Sequence, residues 1–412
     1  MDILSELSTA RAARDAGRPD DARRTAEAVW QRSSDARAAA FLALLEVDQK
    51  RFEAALVWND RARGLNPGDT RLALQGARLA GLVGNHGERF ERINALLRSA
   101  PRTPGAWTEL VAAAVASGRV DEARAVCTAA FDAEPTLAPA LQALLDLTSL
   151  EPCVGATPAP RSQRPTLSVI VCSNDDSQFD AMAASYSRAL GDWPHDVVRI
   201  ADARSLAEGY TRATASARGE IVAFSHDDVE ILASDFGDRL MRRLDGCDIL
   251  GVAGATRVTG PAWPFAGWPF LHGMVIYPRE SGYLVSAYSR SVPLARDIRV
   301  MDGVFLAMRR ETALRIAWDA ETCDGFHGYD VDFTVRAWKA GFRLAVASDL
   351  GVVHRSLGSF DDTWDAAARK LMARHPELNG VRGKETGFIA RSVPTAQHAM
   401  ALVDNWARMG AA

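Results

Sequence analysis

The chain lacks the features that would tie it to a membrane, a nucleic acid or an oxidising compartment. Its 412 residues include only five cysteines, Cys127, Cys153, Cys172, Cys247 and Cys323, odd in number and with no CxxC spacing. That argues against a disulfide framework or a structural zinc and for a reducing compartment. No stretch approaches the roughly 20 consecutive apolar residues that span a bilayer. The opening residues Met1-Asp2-Ile3-Leu4-Ser5-Glu6 lack the apolar core of a secretion signal. A cytoplasmic location is therefore expected, with no transmembrane segment and any membrane contact peripheral. Charge is nearly balanced, 48 Lys plus Arg against 52 Asp plus Glu, so a net −4 gives no electrostatic case for nucleic acid or an anionic membrane.

What is present reads as more than one domain. A hydrophobic fraction of 48% and a charged fraction of 24% are those of a globular protein, and 412 residues suit two or three domains. Residues 1–150 are rich in Ala, Leu and Arg and contain no strand pattern. Pro67, Pro101 and Pro135 recur every 34 residues, and Gly84 and Gly118 keep the same spacing. Phe52-Glu53-Ala54-Ala55, Ala62 and Pro67 have counterparts in Val120-Asp121-Glu122-Ala123, Ala130 and Pro135. Small residues let paired helices approach, and the proline stops the second helix before the next repeat.

A 34-residue helix–turn–helix unit of this kind resembles the tetratricopeptide repeat. Three repeats are visible, with a degenerate one over residues 5–34 and a middle one in which Arg89 replaces the first small residue. Such arrays stack into a solenoid with a concave face. It would dock a protein or peptide, or else pack internally or make a homo-oligomer interface. Trp30, Trp58 and Trp107 are groove candidates, although helical aromatics more often fill the core. Residues 151–165 form a Pro-rich linker, and residues 376–412 a loop followed by an amphipathic helix over Ala396–Met409.

Residues 166–375 alternate strand and helix signals, which places them in the α/β class. The continuous apolar run 167–172 stops at Ser173-Asn174-Asp175, and residues 196–200 stop at Ala201-Asp202. Ile221-Val222-Ala223-Phe224 runs into His226-Asp227-Asp228. Further on come Met301-Asp302-Gly303, Gly328-Tyr329-Asp330-Val331-Asp332-Phe333 and Val352-Val353-His354. Carboxylates at strand ends, a second acidic pair opening a helix and a distal His suit metal-assisted chemistry on a diphosphate. Asp330 and Asp332 stand two apart on a helix, so they face different sides and only one can enter a shared cleft.

The helix over 205–217, Ala217-Arg218-Gly219-Glu220, the strand and its acidic end resemble the GT-A glycosyltransferases of family 2. The resemblance resumes at 301–310 and 328–344 and covers about half the chain. It implies an inverting transferase that moves a sugar from a nucleotide-diphosphate donor to an acceptor hydroxyl, on a protein or on a saccharide chain. The metal would be Mn²⁺ or Mg²⁺, held by Asp228, His354 and His226, the last standing where that family usually has Asp. Asp330 would be the catalytic base, with Tyr329 in place of the usual preceding Glu. Ser173, Asn174, Asp175, Asp202, Arg204, Asp227, Asp302 and Gly303 would bind the donor. Apart from the resemblance, Trp263, Trp268 and His272 lie in a Gly/Pro-broken aromatic segment over 261–277 that would either stack on the acceptor sugar as a lid or form an apolar plug against the repeats, and Asp332 would be a first-turn cap or an acceptor contact. Two other classes compete. One is a non-catalytic repeat scaffold with a decayed transferase domain, for which His226 and Tyr329 speak. The other is a nucleotidyltransferase, against which Ser173-Asn174-Asp175-Asp176, neither Gly-rich nor basic, counts.

Overall fold

The computed structural model describes residues 2–152, 164–290, 292–356, 358, 361–380 and 387–409, so most of the expected linker lies outside them. The chain divides into two compact units, Met1–Leu147 and Thr148–Ala412.

The first unit is all helix among the described residues, in consecutive antiparallel pairs such as Ala36–Asp48 with Phe52–Leu65 and Thr70–Leu82 with His86–Ser99. Pro67, Pro101 and Pro135 each fall two residues after a helix ends, at Leu65, Ser99 and Ala133. Ala55, Ala62 and Ala123 are wholly buried at the helix contacts, as their small side chains require. In the middle repeat Arg89 fits because Gly81 makes room. A Cβ on Gly81 would lie 2.8 Å from Arg89 Cδ, and the guanidinium reaches Glu109 at 2.6 Å. Trp30 and Trp58, both half-buried, meet edge to face at 5.4 Å against the core, and Trp107 is buried with its indole on the Pro101 carbonyl.

The second unit is built on two sheets. The first orders seven strands as His195–Ile200, Leu167–Cys172, Ile221–Ser225, Phe305–Arg309, Ile249–Gly251, Leu344–Ala347 and Leu294–Ile298. The first three run parallel, with Leu167 opposite both His195 and Ile221. Their carboxyl ends therefore lie on one edge, where α/β sheets bind ligands. All five residues of Ile221–Ser225 are buried, as a continuous apolar run between two neighbours should be. Gly219 just before it is obligatory, since a Cβ there would sit 2.5 Å from the Ser168 amide.

The second sheet carries Val229–Ile231 beside Val352–His354, antiparallel, with His354 opposite Val229. That register is what brings a residue from position 354 to the end of the strand at 225. The helix Tyr329–Lys339 starts at Gly328, whose φ of +76° and 2.5 Å approach to Leu371 leave no place for a side chain. Residues 261–277 are only partly loop. A single 3-10 turn covers Trp263–Ala266, and Leu271–Arg279 is a full strand paired on both sides.

Candidate active site

Three predicted ligands converge. His354 Nε2 lies 3.4 Å from Asp228 Oδ1, and the His226 and His354 rings are 5.5 Å apart. One donor atom from each of His226, Asp228 and His354 falls within 4.8 Å of the others. The second Asp228 oxygen accepts from the Ser356 amide at 2.9 Å, which orients the carboxylate. Two imidazole nitrogens and one carboxylate oxygen form a donor set that could hold a divalent cation. Burial works against the Asp228 charge, but the hydrogen bond from His354 and that histidine's charge hold its carboxyl well below the usual range. Burial, with His354 beside it, lowers His226, so its imidazole stays neutral and able to ligate. For His354 burial is outweighed by Asp228, and its pKa is raised.

A hydrogen-bonded chain links this cluster to the predicted base. His226 Nε2 is 2.6 Å from the Tyr329 hydroxyl, which also lies 3.3 Å from the Gly303 carbonyl. The Gly303 amide donates to Asp330 Oδ2 at 2.9 Å. Burial and the nearby Asp302 carboxylate push Asp330 up to about 7, against the amides of Val331 and Gly303, which favour the charged form. Asp302 is fixed at both oxygens, by the Val304 amide at 2.8 Å and the Trp263 indole at 2.7 Å.

Other predicted residues are placed differently. Asp332 does not reach the cleft. It is fully buried, bonded to Arg336 at 2.7 Å and to His375 at 2.8 Å, and it anchors the helix instead of meeting an acceptor. Its two-residue offset from Asp330 turns it inward. Trp268 is buried, with its indole on the Gly387 carbonyl. His272 sits within a strand opposite Gly254, where burial lowers its pKa to about 4. Ser173, Asn174 and Asp227 line a cleft of about 270 Å³ that also takes in His226, Tyr210 and Phe326. Asp227 and Asp228 share a neighbouring cleft with Arg355 and Ser356. Asp175 instead caps the helix Asp176–Leu190 by accepting from Gln178, Asp202 is exposed and paired with Arg212 at 2.9 Å, and Arg204 is exposed.

Sequence reasoning missed Ser356 and Phe326, and gave Tyr329 no partner. Phe326 is 55% exposed at the mouth of the cleft. A solvent-facing Phe in the Gly325–Gly328 turn was the available signal. Ser356 meets the cluster through its amide and through its hydroxyl, 3.2 Å from His354 Nε2, and no pattern in the sequence marks it.

An α/β sheet with an acidic strand end, a distal His beside it and a helix-borne Asp joined to them by hydrogen bonds is the arrangement expected of a sugar-transferase type of domain. The family model described as Glycosyltransferase like family matches residues 168–375, and the chain belongs to that family. Tetratricopeptide repeats are matched at residues 7–70 and 91–138. No curated protein matches the chain. Among solved structures it is similar to a MamA protein, at 20% identity over 33% of this chain and 75% of that one, with a TM-score of 0.29. A MamA fragment from Desulfovibrio magneticus RS-1 gives 14% identity over 35% and 82%, with a TM-score of 0.29. The second TPR domain of the human RPAP3 protein, solved with an HSP70 peptide, gives 17% over 27% and 92%, with a TM-score of 0.25. At these scores the likenesses carry no argument. No described helix is long and apolar enough to cross a membrane.

Proposed function

We propose that the second unit is an inverting, metal-dependent glycosyltransferase that moves a sugar from a nucleoside-diphosphate donor to an acceptor hydroxyl, with the repeats docking a protein acceptor. The observation that carries this reading is the unbroken chain from the His226–Asp228–His354 cluster, through Tyr329 and Gly303, to Asp330. A divalent cation, Mn²⁺ or Mg²⁺, held by His226, Asp228 and His354 would neutralise the charge that gathers on the departing diphosphate.

The remaining work falls to this chain's own residues. Ser173, Asn174 and Phe326 receive the nucleoside, Phe326 stacking on the base. Asp302, locked by Val304 and Trp263, faces the donor sugar. Asp330 takes the acceptor proton as the acceptor oxygen bonds to the anomeric carbon, and the carbon–oxygen bond to the diphosphate breaks with its electron pair leaving on phosphate. A carboxylate with a pKa near 7 is a stronger base than an ordinary aspartate and is still largely ionised above neutrality. One displacement on one face inverts the sugar.

The test is turnover of a panel of nucleotide sugars with Mn²⁺, comparing wild type with Asp330→Asn. Loss of roughly 10²–10⁴-fold in turnover with nucleotide binding retained is expected. Inactivity of the wild type with every donor and metal would favour the scaffold reading. Transfer to candidate proteins with and without residues 1–147 tests docking, and unchanged acceptor choice would refute it.

A further inference from the structure

Tyr329 is a buried phenol whose hydroxyl has two partners and no part in the proton transfer above. A buried tyrosine hydroxyl needs a partner, but here the partners are informative. The Gly303 carbonyl can only accept, so it takes the Tyr329 proton. The shorter bond, 2.6 Å to His226, is then donated by the imidazole through Nε2–H. An imidazole protonated on Nε2 carries its lone pair on Nδ1. The His226 backbone is pinned separately, its amide donating to the Val304 carbonyl at 3.2 Å, and its ring borders the open cleft.

Resting on the metal-dependent reading, we infer that Tyr329 is a positioning residue that fixes His226 in one tautomer and turns Nδ1 towards the cation shared with Asp228 and His354. Space supports the assignment. A Cβ on Gly303 would fall 2.2 Å from the Tyr329 hydroxyl oxygen, 2.7 Å from Cζ and 2.8 Å from Asp330 Cβ. Gly303 is therefore shaped by Tyr329 on one side while its amide serves Asp330 on the other. His226, Tyr329 and Gly303 form one unit, and changing any member disturbs the other two. An outer partner of this kind orients a ligating histidine and raises its basicity, and its loss typically weakens metal affinity by about 10–100-fold.

The experiment is Mn²⁺ titration of the full-length protein followed by electron paramagnetic resonance, with no sugar nucleotide present. Tyr329→Phe keeps the ring and removes the hydroxyl. Mn²⁺ affinity should fall by about 10–100-fold, and the nitrogen couplings on bound Mn²⁺ should drop from two imidazoles to one. In a His226→Ala background the Tyr329→Phe effect should vanish, because the tyrosine acts through that histidine. Wild-type affinity with both nitrogen couplings intact in Tyr329→Phe would overturn the inference alone. So would an equal loss with and without His226. If wild type and Asp228→Asn titrate identically, the metal reading itself fails and the inference falls with it. Should Tyr329→Phe fail to fold, Gly303→Ala, which displaces the same hydroxyl, carries the same expectation.

Discussion

The raised pKa of Asp330 makes a stability prediction that needs no substrate. In the folded chain this carboxyl is pushed up to about 7 from an ordinary value of 3.8, by burial and by the Asp302 carboxylate. Between those values the folded state holds a proton that the unfolded state has lost. The unfolded state therefore binds fewer protons, and stability falls as pH rises through this window. Asp330→Asn is the perturbation, because the amide oxygen can still accept from Gly303 while the charge is removed. Below about pH 4 the two proteins should be nearly alike, both neutral at this position. From pH 4 to 7 the Asn variant should gain on wild type, and above about 7 the gain should level off. A rise from 3.8 to about 7 sets a ceiling of about 4 kcal/mol on that gain. Asp330 keeps some solvent contact, so about 2 kcal/mol is the expected size. For a domain of this length that is a rise of roughly 4–8 °C in the transition. Thermal unfolding of both full-length proteins with chelator, from pH 4 to 8.5, is the assay. A difference that stays constant with pH, or a wild type more stable than the variant at pH 8, would refute the reasoning.

Other expectations can be checked in parallel. Mn²⁺ at 100 times its Kd should stabilise wild type by about 2.7 kcal/mol in thermal unfolding, and Asp228→Asn should abolish that gain. Asp332→Ala, which removes the buried carboxylate between Arg336 and His375, should cost about 3–5 kcal/mol in denaturant unfolding without direct contact to any ligand. Phe326→Ala should weaken nucleoside-diphosphate binding by about tenfold in calorimetry while leaving the unfolding transition in place, since the ring is exposed.

The elements were legible where local chemistry sets them. The apolar run into His226 could only be a covered strand, and the prolines at 67, 101 and 135 marked where helices had to stop. The members of the His226–Asp228–His354 cluster were legible from order along the chain, but their closeness depends on a strand register, His354 against Val229, that no single segment encodes. Side chains sit differently from the expectation where a residue satisfies itself locally. Asp175 caps the helix it precedes, and Asp202 pairs with Arg212 one helix on, both ordinary fates for strand-end carboxylates. Trp263 and Trp268 looked like sugar platforms. Their indoles instead serve Asp302 and the Gly387 carbonyl, because a buried indole N–H must find an acceptor.

His226 and Tyr329 bear on whether the site has decayed. Each departs from the pattern of the family this domain resembles, and taken singly each counts against catalysis. Substitutions that accumulate after a site loses its work have no reason to meet one another. These two meet at 2.6 Å, in a space that only a glycine at 303 leaves open. An Asp at 226 would put another carboxylate near Asp228, Asp302 and Asp330, and a Glu at 329 would bury one more against the Gly303 carbonyl. A neutral imidazole bonded to a phenol removes both charges and, on the inference above, leaves a nitrogen free to ligate. On the proposed function the pair is chemically a replacement: it lowers the negative charge around Asp330 and would keep a donor for a cation, the combination that a basic aspartate beside a diphosphate would require.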